Sequence, residues 1–143
     1  MNTMRTTLLA LLLCSAVQVH AQQSERPPTV AELRDWGRAR ECVDAGKHAG
    51  IDYTRSVDRA IGGDPKALAA LFRFTDSGWC DGAAAEGHAS ILFGLLQHLG
   101  DRRFSQVLRA QKKEIRKAVF GEISSFPGWK ATEFPLTNAS GKH

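Results

Sequence analysis

Apolar positions recur at helical spacing through most of the chain. Thr29 followed three residues later by Glu32 is a capping-box pattern, and Val30, Leu33, Trp36, Ala39 and Val43 then fall on one side of a helix that Gly46 stops. A second, shorter helix is predicted between Ile51 and Ile61, with Tyr53, Val57, Ala60 and Ile61 on one side and Gly62-Gly63 ending it. Asp64-Pro65 opens a third, because Asp accepts from first-turn amides and Pro at the first helical position gives up no bonded N–H. Its stripe is Ala67, Leu68, Leu71 and Phe72, and the polar, glycine-rich segment from Thr75 to Gly82 breaks it. A fourth helix from Ala83 to Leu99 has so broad an apolar face (Ala84, His88, Ile91, Leu92, Leu95, Leu96, Leu99) that it reads as the central core helix. Beyond Gly100-Asp101, the positions Phe104, Val107, Leu108, Ile115, Ala118, Val119 and Ile123 keep helical spacing to about Glu122, as one long helix or two short ones. No stretch alternates apolar and polar residues between turns as a strand does. The predicted fold class is all-α, a compact bundle or short stack of four to five antiparallel helices.

Both ends depart from this pattern. Residues 1–21 have the parts of a secretory signal peptide: Arg5 in a polar start, an apolar run from Leu8 to Leu13 that extends through Val17, and Val19-His20-Ala21 suited to cleavage after Ala21. The run falls short of the about 20 residues that cross a bilayer, so no membrane span is expected. Leu13 precedes Cys14 where a lipoprotein signal peptidase takes Gly or Ala, which argues against a lipid anchor. The chain therefore reads as exported, periplasmic or secreted. Residues 22–28 form an extended leader ending in Pro27-Pro28, residues 29–123 a helical domain, and residues 124–143 an irregular C-terminal tail. Phe126, Trp129 and Phe134 of that tail are expected to lie over the bundle, with Trp129 also a candidate docking anchor.

Composition adds limits. With 143 residues and 43% apolar content the chain can build one hydrophobic core and no second domain of ordinary size. Charged residues at 24% and aromatics at 8% exclude a disordered chain and an integral membrane protein. Past the signal peptide two cysteines remain, Cys42 and Cys80, and in an oxidising compartment one disulfide between them is the economical expectation. Closing a loop with 37 intervening residues stabilises a small domain by roughly 4 kcal/mol. A redox-active pair would ordinarily be close in sequence, and these are far apart.

Gly63-Asp64 with Ala67 and Leu71 recurs 37 positions later as Gly100-Asp101 with Phe104 and Leu108. Leu99-Gly100-Asp101-Arg102-Arg103-Phe104 resembles the inter-helix turn of a HEAT-type helical-hairpin repeat, and Glu114-Ile115-Arg116-Lys117-Ala118 resembles the opening of its second helix. The resemblance spans about Gly63 to Ile123 and implies stacked helical hairpins and a protein-binding scaffold. It carries no catalytic residue.

Candidate chemistry concentrates in two places. Asp76, Asp81, Glu86 and His88 lie in the loop before the fourth helix and in its first turns, where a carboxylate could orient a histidine as general base in a cell-envelope hydrolase. Each also has an ordinary role: Asp81 as N-cap, Glu86 near a positive helix end, and His88 pointing inward with Ile91, Leu92 and Leu95. The calcium-loop template fails, because placing Asp81-Gly82 at its fifth and sixth positions puts His88 where the bidentate Glu belongs. Zinc, phosphate-loop, dinucleotide and nucleophile-elbow signatures do not occur, so neither metal nor cofactor is implied.

The second place is basic. Arg102, Arg103, Arg109, Lys112, Lys113, Arg116 and Lys117 stand against the single acid Glu114. Without Arg5 the 19 basic residues become 18 against 15 acidic, a net of +3, so the positive charge is local. Its plain reading is the solvated face of an amphipathic helix; its functional reading is a surface for an acidic protein partner or an anionic envelope polymer. Basics without interleaved aromatics in an exported protein argue against nucleic acid. The leading expectation is a small exported helical binding protein, an inhibitor or immunity-type partner of another envelope protein.

Overall fold

The computed structural model describes residues 26–142, so the expected signal peptide and residues 22–25 of the leader lie outside the described residues. The first helix, α1 (Val30–Trp36), starts at the capping box: the Thr29 hydroxyl accepts from the Glu32 amide at 3.2 Å, and the Glu32 carboxylate accepts from the Thr29 amide at 2.7 Å. Arg26 adds a 2.6 Å ion pair to the same carboxylate, and with Thr29 it holds Glu32 down at about 2. The helix predicted through Gly46 instead breaks at Gly37 and resumes as α2 (Arg40–His48). The cause is a close approach: a β-carbon at Gly37 would sit 2.8 Å from Val57 Cγ1, and the Gly37 carbonyl takes a 3.0 Å bond from the Thr54 hydroxyl.

Val57 and Thr54 belong to α3 (Tyr53–Ile61), capped by Asp52, whose carboxylate accepts from the Arg55 amide at 3.1 Å. Helix α4 (Pro65–Thr75) starts where Asp64-Pro65 predicts, with Asp64 accepting from the Lys66 amide at 2.8 Å. The central helix is α5 (Gly82–Leu99), buried continuously from Ile91 to Leu96 and packed against α1, α2, α3 and α4 on its way through the molecule. The chain then gives two short helices, α6 (Asp101–Arg109) and α7 (Lys113–Ser124), both also against α5. Among the described residues there are eight helices and no strand, so the all-α class stands while the count of four to five does not. No helix among them is long and apolar enough to cross a membrane.

The eighth helix, α8 (Pro135–Lys142), lies in the tail predicted to be irregular. It packs on α6 and α7. Its first amides are capped from afar: the Asp101 carboxylate accepts from the Leu136 and Thr137 amides at 2.8 Å each. The tail aromatics cover the bundle as expected, with Phe126 stacked on Phe93 at 4.9 Å and Trp129 stacked on Phe134 at 5.5 Å.

The expected Cys42–Cys80 disulfide is not formed, and both thiols are free. Cys42 Sγ points at the face of α5, donating to the Ala84 carbonyl at 3.5 Å and lying 3.0 Å from where a Gly87 β-carbon would be. Cys80 sits half-buried in the loop ahead of α5. Cysteine count and compartment carried the expectation, and neither specifies the direction of a side chain. Burial pushes both thiols up, Cys80 to about 12, which keeps them protonated and poorly nucleophilic.

Gly94 shows how closely α1 approaches α5. A β-carbon there would sit 2.6 Å from Leu33 Cδ2 and 2.9 Å from Pro28 Cγ, whereas at exposed Gly121 on α7 it would meet nothing within 4 Å. Alanine favours a helix interior over glycine by about 1 kcal/mol, and overpacking costs about 1–3 kcal/mol. Gly121→Ala should therefore raise the denaturant midpoint and Gly94→Ala should lower it; shifts of the same sign would contradict this packing.

Candidate functional site

The sequence placed His88 on the inner face of α5, and the structure buries it completely. Tyr53 Oη lies 2.7 Å from Nδ1, and Thr75 Oγ1 lies 3.0 Å from Nε2. The Thr75 hydroxyl is also 3.4 Å from the Leu71 carbonyl oxygen. A neutral ring protonated at Nε2 satisfies the whole chain: Tyr53 donates to Nδ1, Nε2 donates to Thr75, and Thr75 donates to Leu71. Burial pushes the imidazole down to about 3, with the Leu71 carbonyl opposing. Neither ring nitrogen bonds Asp81 or Glu86, both of which are exposed, as is Asp76. Among the described residues no three His, Cys, Asp or Glu side chains gather closely enough to hold a metal ion.

The basic cluster is arranged differently from one helix face. Arg102, Arg103 and Arg109 project from α6, while Lys112 occupies the N-cap of α7 and Lys113, Arg116 and Lys117 follow in its first turns. Arg116 is half-buried, its Nη1 donating to the Gln111 carbonyl at 2.9 Å; the other six are exposed. The α7 end is electrostatically unfavourable, since cations there face the positive end of the helix dipole and Glu114 is the one acid in the first turn.

None of these seven cations lies within ion-pair distance of a carboxylate among the described residues. The ion pairs present join residues 26–64, such as Arg34 with Asp58 and Arg59 with Asp64, or join Lys130 to Glu133. Arg109 and Arg116 border a cleft beneath α8, beside Leu136 and Ser140. Arg103 turns the other way, into a groove of about 640 Å³ between α4 and α6.

That groove brings together residues the sequence did not group. Lys66 and Arg73 line it from α4; Arg103, Gln106 and Gln111 line it from the α6 side. No carboxylate lines it, and Lys66 and Arg73 are likewise unpaired. The floor is small and apolar, formed by half-buried Ala69 and Val107, with Pro65 and Ala110 exposed at its edges. Lys66 and Arg73 are seven residues apart and so share a face of α4, the one signal in the sequence that marks them. What the sequence does not show is that this face meets α6.

Trp129, the remaining candidate, is half-buried between Phe120 and Phe134, at 5.8 and 5.5 Å, and so is engaged by its own bundle. A separate apolar cavity of about 490 Å³ lies over Gly87 and Gly94 of α5, walled by Trp36, Phe93 and Phe126. Arg26 at its rim is paired with Glu32, and Ser90 donates to the Glu86 carbonyl. Comparison with known proteins found no matching family model, no matching curated protein and no matching solved structure.

Proposed function

We propose that the protein is an exported helical binding module whose cationic surface on α4, α6 and the start of α7 takes an acidic partner. The observation that carries this is the groove itself: Lys66, Arg73 and Arg103 line one cavity with no carboxylate among its walls. Lys66 and Arg103 stand in the first turns of α4 and α6, where the helix dipole opposes a cation, and neither is paired as Arg26, Arg34, Arg40 and Arg59 are; Arg73, in the last turn of α4, is the one of the three that the dipole favours. Unpaired charge gathered beside a groove raises the local concentration of anions and speeds their encounter. A scaffold of helical hairpins, the reading implied by the HEAT-like turn at Leu99 to Phe104, fits the same role. An inhibitor or immunity-type partner of an envelope protein is the form of binding we favour. Full burial of His88, with both ring nitrogens bonded, supports binding over hydrolysis.

Titration with poly-L-glutamate at low and at near-physiological salt tests the reading. Binding should weaken with salt, and the triple variant Lys66→Ser, Arg73→Ser, Arg103→Ser should lose roughly 10- to 100-fold in affinity, at about 0.5–1 kcal/mol for each exposed charge pair. No binding by the native chain, or equal binding by the variant, would overturn it.

A further inference from the structure

We infer that the groove between α4 and α6 receives an acidic amphipathic helix from a protein partner, an inference that rests on the anion-binding reading above and names its occupant. The first reason is spacing. Lys66 and Arg73 are two helical turns apart, about 10 Å along α4 at 1.5 Å per residue. A helix lying along the groove repeats the same period, so acidic side chains at i and i+7 come opposite both cations. The second is the floor. Ala69 lies between Lys66 and Arg73 on α4, and Val107 lies between Arg103 and Gln111, so small apolar groups occupy the space between the charges. Apolar residues at i+3 and i+4 of a partner helix have somewhere to lie. An anionic polysaccharide or a polyphosphate would pair with the cations and leave that floor in water.

The third reason is where Arg103 lies. Gly63 has φ of +83°, and a β-carbon there would fall 2.7 Å from Arg103 Nη1. The guanidinium therefore lies against the α3–α4 turn, in space that a side chain at position 63 would fill, at the edge of the groove. That puts a cation of α6 opposite the start of α4, so a partner helix meets positive charge from both walls of the groove. Gln106, exposed beside it, offers both a donor and an acceptor to a partner backbone or side chain.

The test uses fluorescence anisotropy with two labelled, end-capped peptides of identical composition and the full mature protein. In the first, Glu recurs at i and i+7 with Ala and Leu at i+3 and i+4; in the second, the order is scrambled so that acids and apolar residues share every face. The first peptide should bind about tenfold or more tightly than the second. It should lose about tenfold or more with Lys66→Ser, Arg73→Ser and be unchanged with Arg40→Ser, a cation on α2 paired with Asp44. Circular dichroism confirms that the surface variants remain folded. Equal affinity for the two peptides, with poly-L-glutamate binding intact, overturns the helical occupant and leaves the anion-binding reading standing. Preference for the first peptide that survives Lys66→Ser, Arg73→Ser overturns the groove as its seat. If neither peptide nor poly-L-glutamate binds, both readings fall together.

Discussion

Replacing His88 with alanine is expected to lower the unfolding free energy by about 3–5 kcal/mol, read as a lower denaturant midpoint at unchanged slope. The imidazole fills space between Tyr53 and Phe74, with ring centroids 5.7 and 4.9 Å away, so its removal leaves a cavity. It also leaves the Tyr53 hydroxyl, on a side chain only 1% exposed, without the acceptor it uses now. A small domain has roughly 5–15 kcal/mol in total, so the loss is a large share of it. Tyr53→Phe keeps the packing and should cost only about 1–2 kcal/mol, the penalty of an unpaired Nδ1. The same residue sets a pH dependence. In the unfolded chain the ring takes a proton near 6.5, and in the folded chain only near 3. Between those values the unfolded state holds a proton that the folded state refuses, so stability is full above 6.5 and falls as pH drops, by roughly 4–5 kcal/mol at the limit. His88→Ala should flatten this component. A variant whose midpoint falls with acid as steeply as the native protein's would place the pH dependence elsewhere.

The second large effect concerns α8. Gly141 lies against Phe120 so closely that a β-carbon would run into the Cβ, Cγ and Cδ2 of that ring, and the Asp101 carboxylate caps the helix's first amides. Gly141→Ala should cost about 1–3 kcal/mol and Asp101→Ala about 1 kcal/mol. An eight-residue helix does not persist alone, so together they should release the segment while the core holds. Hydrogen exchange reads this directly: amides of α8 should lose their protection in the double variant, and those of α5 should keep theirs. Protection retained in α8 would mean that Leu136 and its neighbours hold the helix by other contacts.

What could be read from the chain follows the range of the forces involved. Capping is local, so Thr29 with Glu32 and Asp64 with Pro65 marked helix starts that the structure keeps. The break at Gly37 was hidden because Trp36 and Ala39 continue the helical period while lining a surface cavity; the cause of the break is Val57, twenty residues away. The turn from Ala110 to Lys112 contains neither Gly nor Pro, and the sequence left that stretch as one helix or two. Helix α8 was hidden by its composition and by a cap supplied from Asp101. In the groove, Arg103 was legible as part of a basic run. Lys66 and Arg73 were not, because only the packing of α4 on α6 makes them its neighbours.

The cap that Asp101 supplies to α8 also sets an order of assembly. A segment beginning at Pro135 has no side chain of its own at hand to satisfy its leading amides, and it is too short to nucleate in water. Only once α6 has formed, and turned Asp101 toward it, does coiling those last residues become favourable. The segment is thus expected to coil after α6 and to fray before it, a latch whose catch is made by a residue of another helix. Because α8 borders the cleft edged by Arg109 and Arg116, releasing that latch would also open one wall of the cleft.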